Sequence, residues 1–323
     1  MNAWLETVHA IAREVLGRTP GAVVRRRLLR DVLRSAETAP GLESSACVQQ
    51  LAREQWPDGG WGAFHSRSTK LKQKIASTEV GVERALALGL ETGHPVLQKA
   101  ERYLLNLLER KIEFPDTKEK NDRWPVGERM FVASTYSLLQ PADPRLDPDR
   151  TLWLELARRA FHSGAYSTQA EIEAHRKLTG ATVQDSYLVI AGRYQLNLLG
   201  SLPGALPAGV ETALLSWLWT RPGGIGYLTE PLARPPLGLP GRMDRWLASH
   251  ELLARLFPAW KEFAGDVAAW LWAQQGADGL WDFGPKPASV NTLPLSDTWR
   301  PPHRQFDWSV RVLGLLAKYH AKE

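Results

Sequence analysis

Short stretches with apolar residues at three- and four-residue steps alternate along the whole chain with breaks that carry glycine or proline. That period predicts helices. A first helix covers 1–16, Pro20-Gly21 breaks it, and a second follows at 22–36 with Val24, Leu28 and Val32 on one face. Ser44 or Ser45 is placed to cap a helix running to Gln55, and Ser77-Thr78-Glu79-Val80 starts another that continues to Leu90. Val96, Ala100, Tyr103, Leu104, Leu107 and Leu108 mark the next, which closes on Arg110-Lys111, a basic end suited to the helix dipole. Further helices are expected over 130–139, 149–161, 168–178, 182–198, 210–219, 242–256, 262–275 and 304–319. No stretch alternates with the two-residue period of a half-buried strand. The expected fold class is all-α.

The breaks repeat as well as the helices. Gln55-Trp56-Pro57-Asp58-Gly59-Gly60-Trp61-Gly62 ends one helix, and Gln274-Gln275-Gly276-Ala277-Asp278-Gly279-Leu280-Trp281 ends another. In each, glycine allows a sharp turn, aspartate can hold backbone amides, and the tryptophan can fold back on the helix just ended. Weaker copies end at Trp124, Tyr166 and Tyr227, at intervals that fit a helical hairpin plus a variable loop. Helix pairs in series, closed into a ring, cover both ends of such an array. The expectation is one domain over 1–323, with 1–38 as an N-terminal helical extension.

These two motifs resemble the glutamine–tryptophan repeats of squalene and oxidosqualene cyclases, and on them the chain is similar to the terpenoid-cyclase and protein-prenyltransferase superfamily of α/α toroids. The resemblance implies an α/α toroid from about residue 40 onward, repeats that tie neighbouring hairpins together, and a reaction cavity at one mouth. The residues that carry the chemistry of that superfamily are largely missing. Its class II cyclases protonate an alkene from an Asp-rich motif, and this chain has no adjacent Asp pair. Its nearest acidic group, Asp143, Asp147 and Asp149, reads as an exposed turn. Its prenyltransferases hold zinc with Asp, Cys and His, whereas Asp297-Thr298-Trp299 has tryptophan where the cysteine belongs. No metal and no cofactor are expected.

Composition adds two things. The 14 tryptophans among 323 residues suit packed helix pairs or a wide aromatic cavity, and the single Cys47 excludes an internal disulfide framework and a multi-cysteine metal cage. A net charge of +5 is modest. Its densest patch, Arg25, Arg26, Arg27, Arg30 and Arg34, reads as the solvated face of a helix, with contact to an anionic membrane surface as the alternative and no specific nucleic acid as partner. A second basic run over 67–74 reads as a mobile loop. Nothing in the first residues resembles a signal peptide, and no charge-free run approaches spanning length, so a soluble cytoplasmic protein is expected.

Candidate chemistry concentrates between Leu295 and Trp308. Asp297, His303 and Asp307 are the candidate catalytic groups there, with Arg300 to hold an anion and Trp299 and Trp308 to wall a cavity. The competing reading is an Asp–Arg network that fastens the ring, with Asp307 capping the last helix. His65, His162, Tyr166 and Tyr227 are further ligand-binding candidates at helix ends, and Asp185 with Tyr187 opens another helix. Three functions compete: a cavity that binds an apolar or isoprenoid-like molecule, including an atypical cyclase-like enzyme; a carbohydrate-active lyase or hydrolase; and a non-enzymatic scaffold. A deep Trp- and Phe-lined pocket would favour the first, an open polar groove the second, and a filled centre the third.

Overall fold

A computed structural model describes residues 3–37, 39–66, 73–183, 186–236, 238–285 and 292–320. Most of loop 67–74, and Asp185, lie outside them. Thirteen α-helices are described: α1 (Ala3–Gly17), α2 (Ala22–Arg27), α3 (Ala46–Glu54), α4 (Thr78–Ala87), α5 (Pro95–Leu108), α6 (Trp124–Ser137), α7 (Asp147–Ala160), α8 (Thr168–Thr179), α9 (Arg193–Leu199), α10 (Ala208–Thr220), α11 (Pro240–Leu256), α12 (Gly265–Ala273) and α13 (His303–His320). No strand occurs among the described residues, only an isolated bridge between Gly192 and Gly226. The molecule is all-α, and no described helix is long and apolar enough to cross a membrane.

Three expectations need correction. The helix expected over 182–198 begins only at Arg193. Upstream, Glu171 takes the Ile190 N–H at 2.6 Å and Gln195 reaches back to the Tyr187 carbonyl at 2.8 Å, so side chains claim backbone groups that a helix would need. The basic helix is not simply solvated. After Arg27 it opens into a π-helical turn, Leu28–Val32, and Arg27 and Arg30 both bond Asp31, at 3.0 and 2.6 Å. Asp149, read as part of an exposed turn, is buried in the first turn of α7 and held by Arg129 at 2.8 Å.

The two strong turns make the same bonds. Gln55 Nε2 donates to the Gly59 carbonyl at 2.9 Å, and Gln275 Nε2 to that of Gly279 at 2.8 Å. Asp58 accepts the Gly60 N–H and Asp278 that of Leu280. Each tryptophan turns its indole N–H back onto the preceding helix, Trp61 to Leu51 O at 3.0 Å and Trp281 to Leu271 O at 2.6 Å. Each also donates its backbone N–H forward to a helix hydroxyl, Thr78 in α4 or Ser309 in α13. One turn therefore bolts the helix behind it to the helix ahead, and burial of both rings supplies the apolar part of the joint.

Contacts pass along the chain in order. Helix α3 packs on α4, α4 on α5, α5 on α6, α6 on α9, α9 on α11 and α11 on α13, while α13 also meets α1 and α2. Residues of α1 and α2, among them Val8, Ala12, Val15 and Val24, belong to the same buried core as those of α13.

Candidate functional site

The structure builds a polar cluster around His65, in the loop that joins the first repeat turn to α4. That loop is pinned twice. Ala63 and Phe64 offer their carbonyls to the Thr78 and Glu79 N–H groups, which the first turn of α4 leaves without helical partners. From the other side the Asp116 carboxylate takes the N–H groups of Phe64, His65 and Ser66, at 2.6, 2.9 and 2.7 Å. The imidazole then stacks on Phe131 of α6, with centroids 4.0 Å apart and planes 9° from parallel.

In this frame His65 Nδ1 lies 3.1 Å from both oxygens of buried Glu79 and 3.0 Å from the Tyr194 hydroxyl, while Nε2 faces the Tyr227 hydroxyl at 3.4 Å. The carboxylate assigns the proton to Nδ1, which leaves the Nε2 lone pair directed at Tyr227. Tyr194 donates to Glu79 at 2.8 Å and accepts from Arg193 at the same distance. Arg193 also bonds Glu79 at 3.2 Å and Glu83 at 2.8 Å. Burial opposes the Arg193 charge, but the oxygens of Glu83, Tyr194 and Glu79 outweigh it and raise its pKa. Burial, with Glu79 close by, raises the pKa of Tyr227, so its hydroxyl keeps its proton. Tyr227 is 40% exposed and sits at φ +70°, a left-handed conformation that costs a non-glycine residue energy and persists only when its surroundings impose it.

Tyr227 also walls a groove of about 930 Å³ with Tyr166, Glu171, Tyr187, Trp217 and Arg221. Tyr166 and Trp217 stack with centroids 3.8 Å apart, and the Arg221 guanidinium lies 5.5 Å from the Trp217 ring centre. Glu171 accepts the Tyr166 hydroxyl at 2.5 Å, and burial raises its pKa against that bond. The Tyr187 hydroxyl is buried without a hydrogen-bond partner among the described residues. A second cavity, of about 460 Å³, lies between α4, α9, α11 and α13, and neither Trp nor Phe lines it. Among the described residues no three His, Cys, Asp or Glu side chains gather into a metal site.

The other candidates lie apart from this cluster. Asp297 accepts the Ser45 hydroxyl at 2.8 Å at the start of α3. Asp307 is the fifth residue of α13 rather than its cap, and it takes the N–H groups of Leu295 and Ser296 and the Ser296 hydroxyl. Those bonds commit both carboxylates to anchoring the segment that precedes α13. His303 heads α13 with its ring edge on Phe306, and Arg300 is exposed. Trp299 packs on Trp308, whose indole N–H is held by the Gly284 carbonyl. No hydrogen bond or ring contact among the described residues joins this group to His65. His162 is exposed at the end of α7, with Nδ1 on the Arg159 carbonyl.

Sequence reasoning placed His65, Tyr166 and Tyr227 among the candidates and missed Glu79, Asp116, Phe131, Arg193 and Tyr194. Glu79 stood inside a predicted helix start, where an acid is expected for the dipole alone. No known protein family, curated protein or solved structure matches this chain.

Proposed function

We propose that the helices form an α/α toroid and that the chain is a carbohydrate-active lyase, with the His65–Tyr227 pair as its acid–base centre. The ring is supported by the order of helix contacts and by the return of α13 onto α1 and α2. The two matching turns support the likeness to the terpenoid-cyclase superfamily, and fold likeness leaves chemistry open. The observation that carries the function is a histidine whose Nδ1 is fixed by Glu79 and Tyr194 and whose Nε2 meets the hydroxyl of a strained tyrosine, which itself lines a groove that also holds a stacked aromatic pair.

Flat ring faces suit the C–H faces of sugars, and Arg221 gives the groove a cation for a uronate carboxylate. In the proposed reaction His65 Nε2 takes the proton from the carbon beside that carboxylate. The C–H electrons form a double bond to the neighbouring ring carbon, that carbon's C–O bond to the next sugar breaks, its electrons leave on the oxygen, and the Tyr227 hydroxyl protonates that oxygen. An uncharged isoprenoid-like ligand in the 460 Å³ cavity is the weaker reading, because charged groups wall much of that space.

The test is turnover on uronate-containing and neutral polysaccharides, read by the ultraviolet absorbance of an unsaturated product. Tyr227→Phe and His65→Ala should each lower the rate on the order of 10²–10⁴-fold while the fold is kept. New reducing ends from neutral substrates would point to the hydrolase instead. Neither turnover nor oligosaccharide binding on any substrate would remove the proposal.

A further inference from the structure

The 460 Å³ cavity shares Arg193 with the His65 cluster but has its own charge pattern. Its lining includes the cations Arg27, Arg30, Arg193, Arg255, Arg311 and Lys318 and the carboxylates Asp31, Glu83 and Glu251. Every carboxylate has a partner: Asp31 holds Arg27 and Arg30, Glu83 holds Arg193, and Glu251 holds Arg311 at 2.8 Å. Behind the wall, Asp244 and Glu79 complete the pairing of Arg311 and Arg193.

Arg255 and Lys318 are left over. Arg255 bonds only the neutral Asn197 amide oxygen, at 2.8 Å, and no carboxylate among the described residues lies within ion-pair distance of either cation. Both are exposed, and both belong to the lining of this half-open cavity. Burial lowers the pKa of each, Arg255 itself pushes Lys318 lower, and Glu251 works the other way on both, as do Glu83 on Arg255 and Asp31 on Lys318. Two cations without a carboxylate partner at one pocket repel each other, and an anion between them would offset that repulsion.

We infer that this cavity is a binding site for a phosphate group, held by the Arg255 fork and the Lys318 ammonium. A dianion matches the two free charges, and a guanidinium fork beside an ammonium is the donor set that phosphate oxygens accept from. The volume leaves room for a small organic remainder against Leu252 and Leu315, so the group can arrive as free phosphate or as a phosphate monoester.

The experiment uses the full chain, dialysed into chloride at fixed ionic strength. Inorganic phosphate and glycerol phosphate are titrated in separate arms by calorimetry, with thermal unfolding followed in parallel. The expected result is saturable binding and a raised Tm beyond that of sodium chloride at equal ionic strength. Tighter binding of the ester would assign the site to a phosphorylated small molecule, and equal binding to free phosphate. Arg255→Gln and Lys318→Met should each weaken binding about tenfold or more. Their unfolding without phosphate should stay at the parent midpoint or above it, since each removes an unpaired charge. The exposed Arg53→Gln serves as control. Absence of saturable binding in the parent chain, or equal binding in the double variant, overturns the inference.

Discussion

Gly81 sits directly under the Trp61 ring, so close that a Cβ there would lie 2.4 Å from two indole carbons. Gly59, at φ +103°, would likewise drive a Cβ to 2.3 Å from the Lys99 carbonyl oxygen. Such fits lock the first turn around Trp61, and Trp61 and Trp281, which make matching bonds, are both wholly buried. Trp61→Ala or Trp281→Ala should each cost about 3–5 kcal/mol, through lost burial plus the cavity left behind. Trp56→Ala, in the same turn but 40% exposed, should cost far less. Chemical unfolding of the three variants measures this, and equal small losses would show that the rings carry no joint. At this scale the turns were legible because their bonds are local: glutamine to glycine spans four residues. The His65 cluster was legible only in part. Its bonds to Glu79, Asp116 and Tyr194 span 14, 51 and 129 residues, and no local period encodes such meetings.

Element ends were set by tertiary bonds that sequence periodicity does not contain. The apolar period through Val183, Tyr187 and Ile190 reads as helix, yet α9 starts late because Gly192 must approach Gly226 and because Glu171 of α8 captures the Ile190 N–H. The same helix α8 holds His175, fully buried beside Trp153 and about 4.0 Å from Glu171, with no hydrogen-bond partner for either ring nitrogen among the described residues. Burial lowers its pKa to about 4, with the Leu188 backbone only partly opposing. His250 of α11 is lowered to about 3, also by burial, against the Leu232 carbonyl and Glu251. A base whose folded pKa lies below its unfolded value of 6.5 adds stability fully present above pH 6.5, and that stability is lost as pH falls toward the folded value. The unfolded chain takes up the protons that the fold refuses. Asp307, raised by burial to about 6, acts in the opposite sense between pH 3.8 and 6, so the informative quantity is a difference between variants. His175→Leu should flatten the fall in unfolding free energy between pH 6.5 and 4.5 relative to the parent chain. An unchanged slope would mean that His175 is protonated in the folded state at little cost.

At the scale of the whole molecule, the first and last helices share a core. Helix α13 buries an unbroken run from Phe306 to Ala317, which includes Asp307 and the Asp244- and Glu251-bound Arg311, so it needs cover on more than one side. Helix α11 covers part of it, and α1 and α2 cover another part. Trp4 of α1 also lies against Trp272 and His320, with ring centres 5.5 and 5.9 Å away. The helical pattern of the first residues was plain in the sequence, but their role was not, because an amphipathic stripe shows that a face is buried without showing against what. An appended extension and a structural member of the core differ in what happens on removal. Deleting residues 1–20 would strip Val8, Ala12 and Val15 from the core and uncover the part of α13 that α1 packs on. The expected outcome is loss of the cooperative unfolding transition, with aggregation on size-exclusion chromatography, because the exposed strip is continuous and apolar. A shortened chain that stays monodisperse and unfolds at the parent midpoint would instead make α1 an extension and require α13 to be covered by α2 and α11 alone.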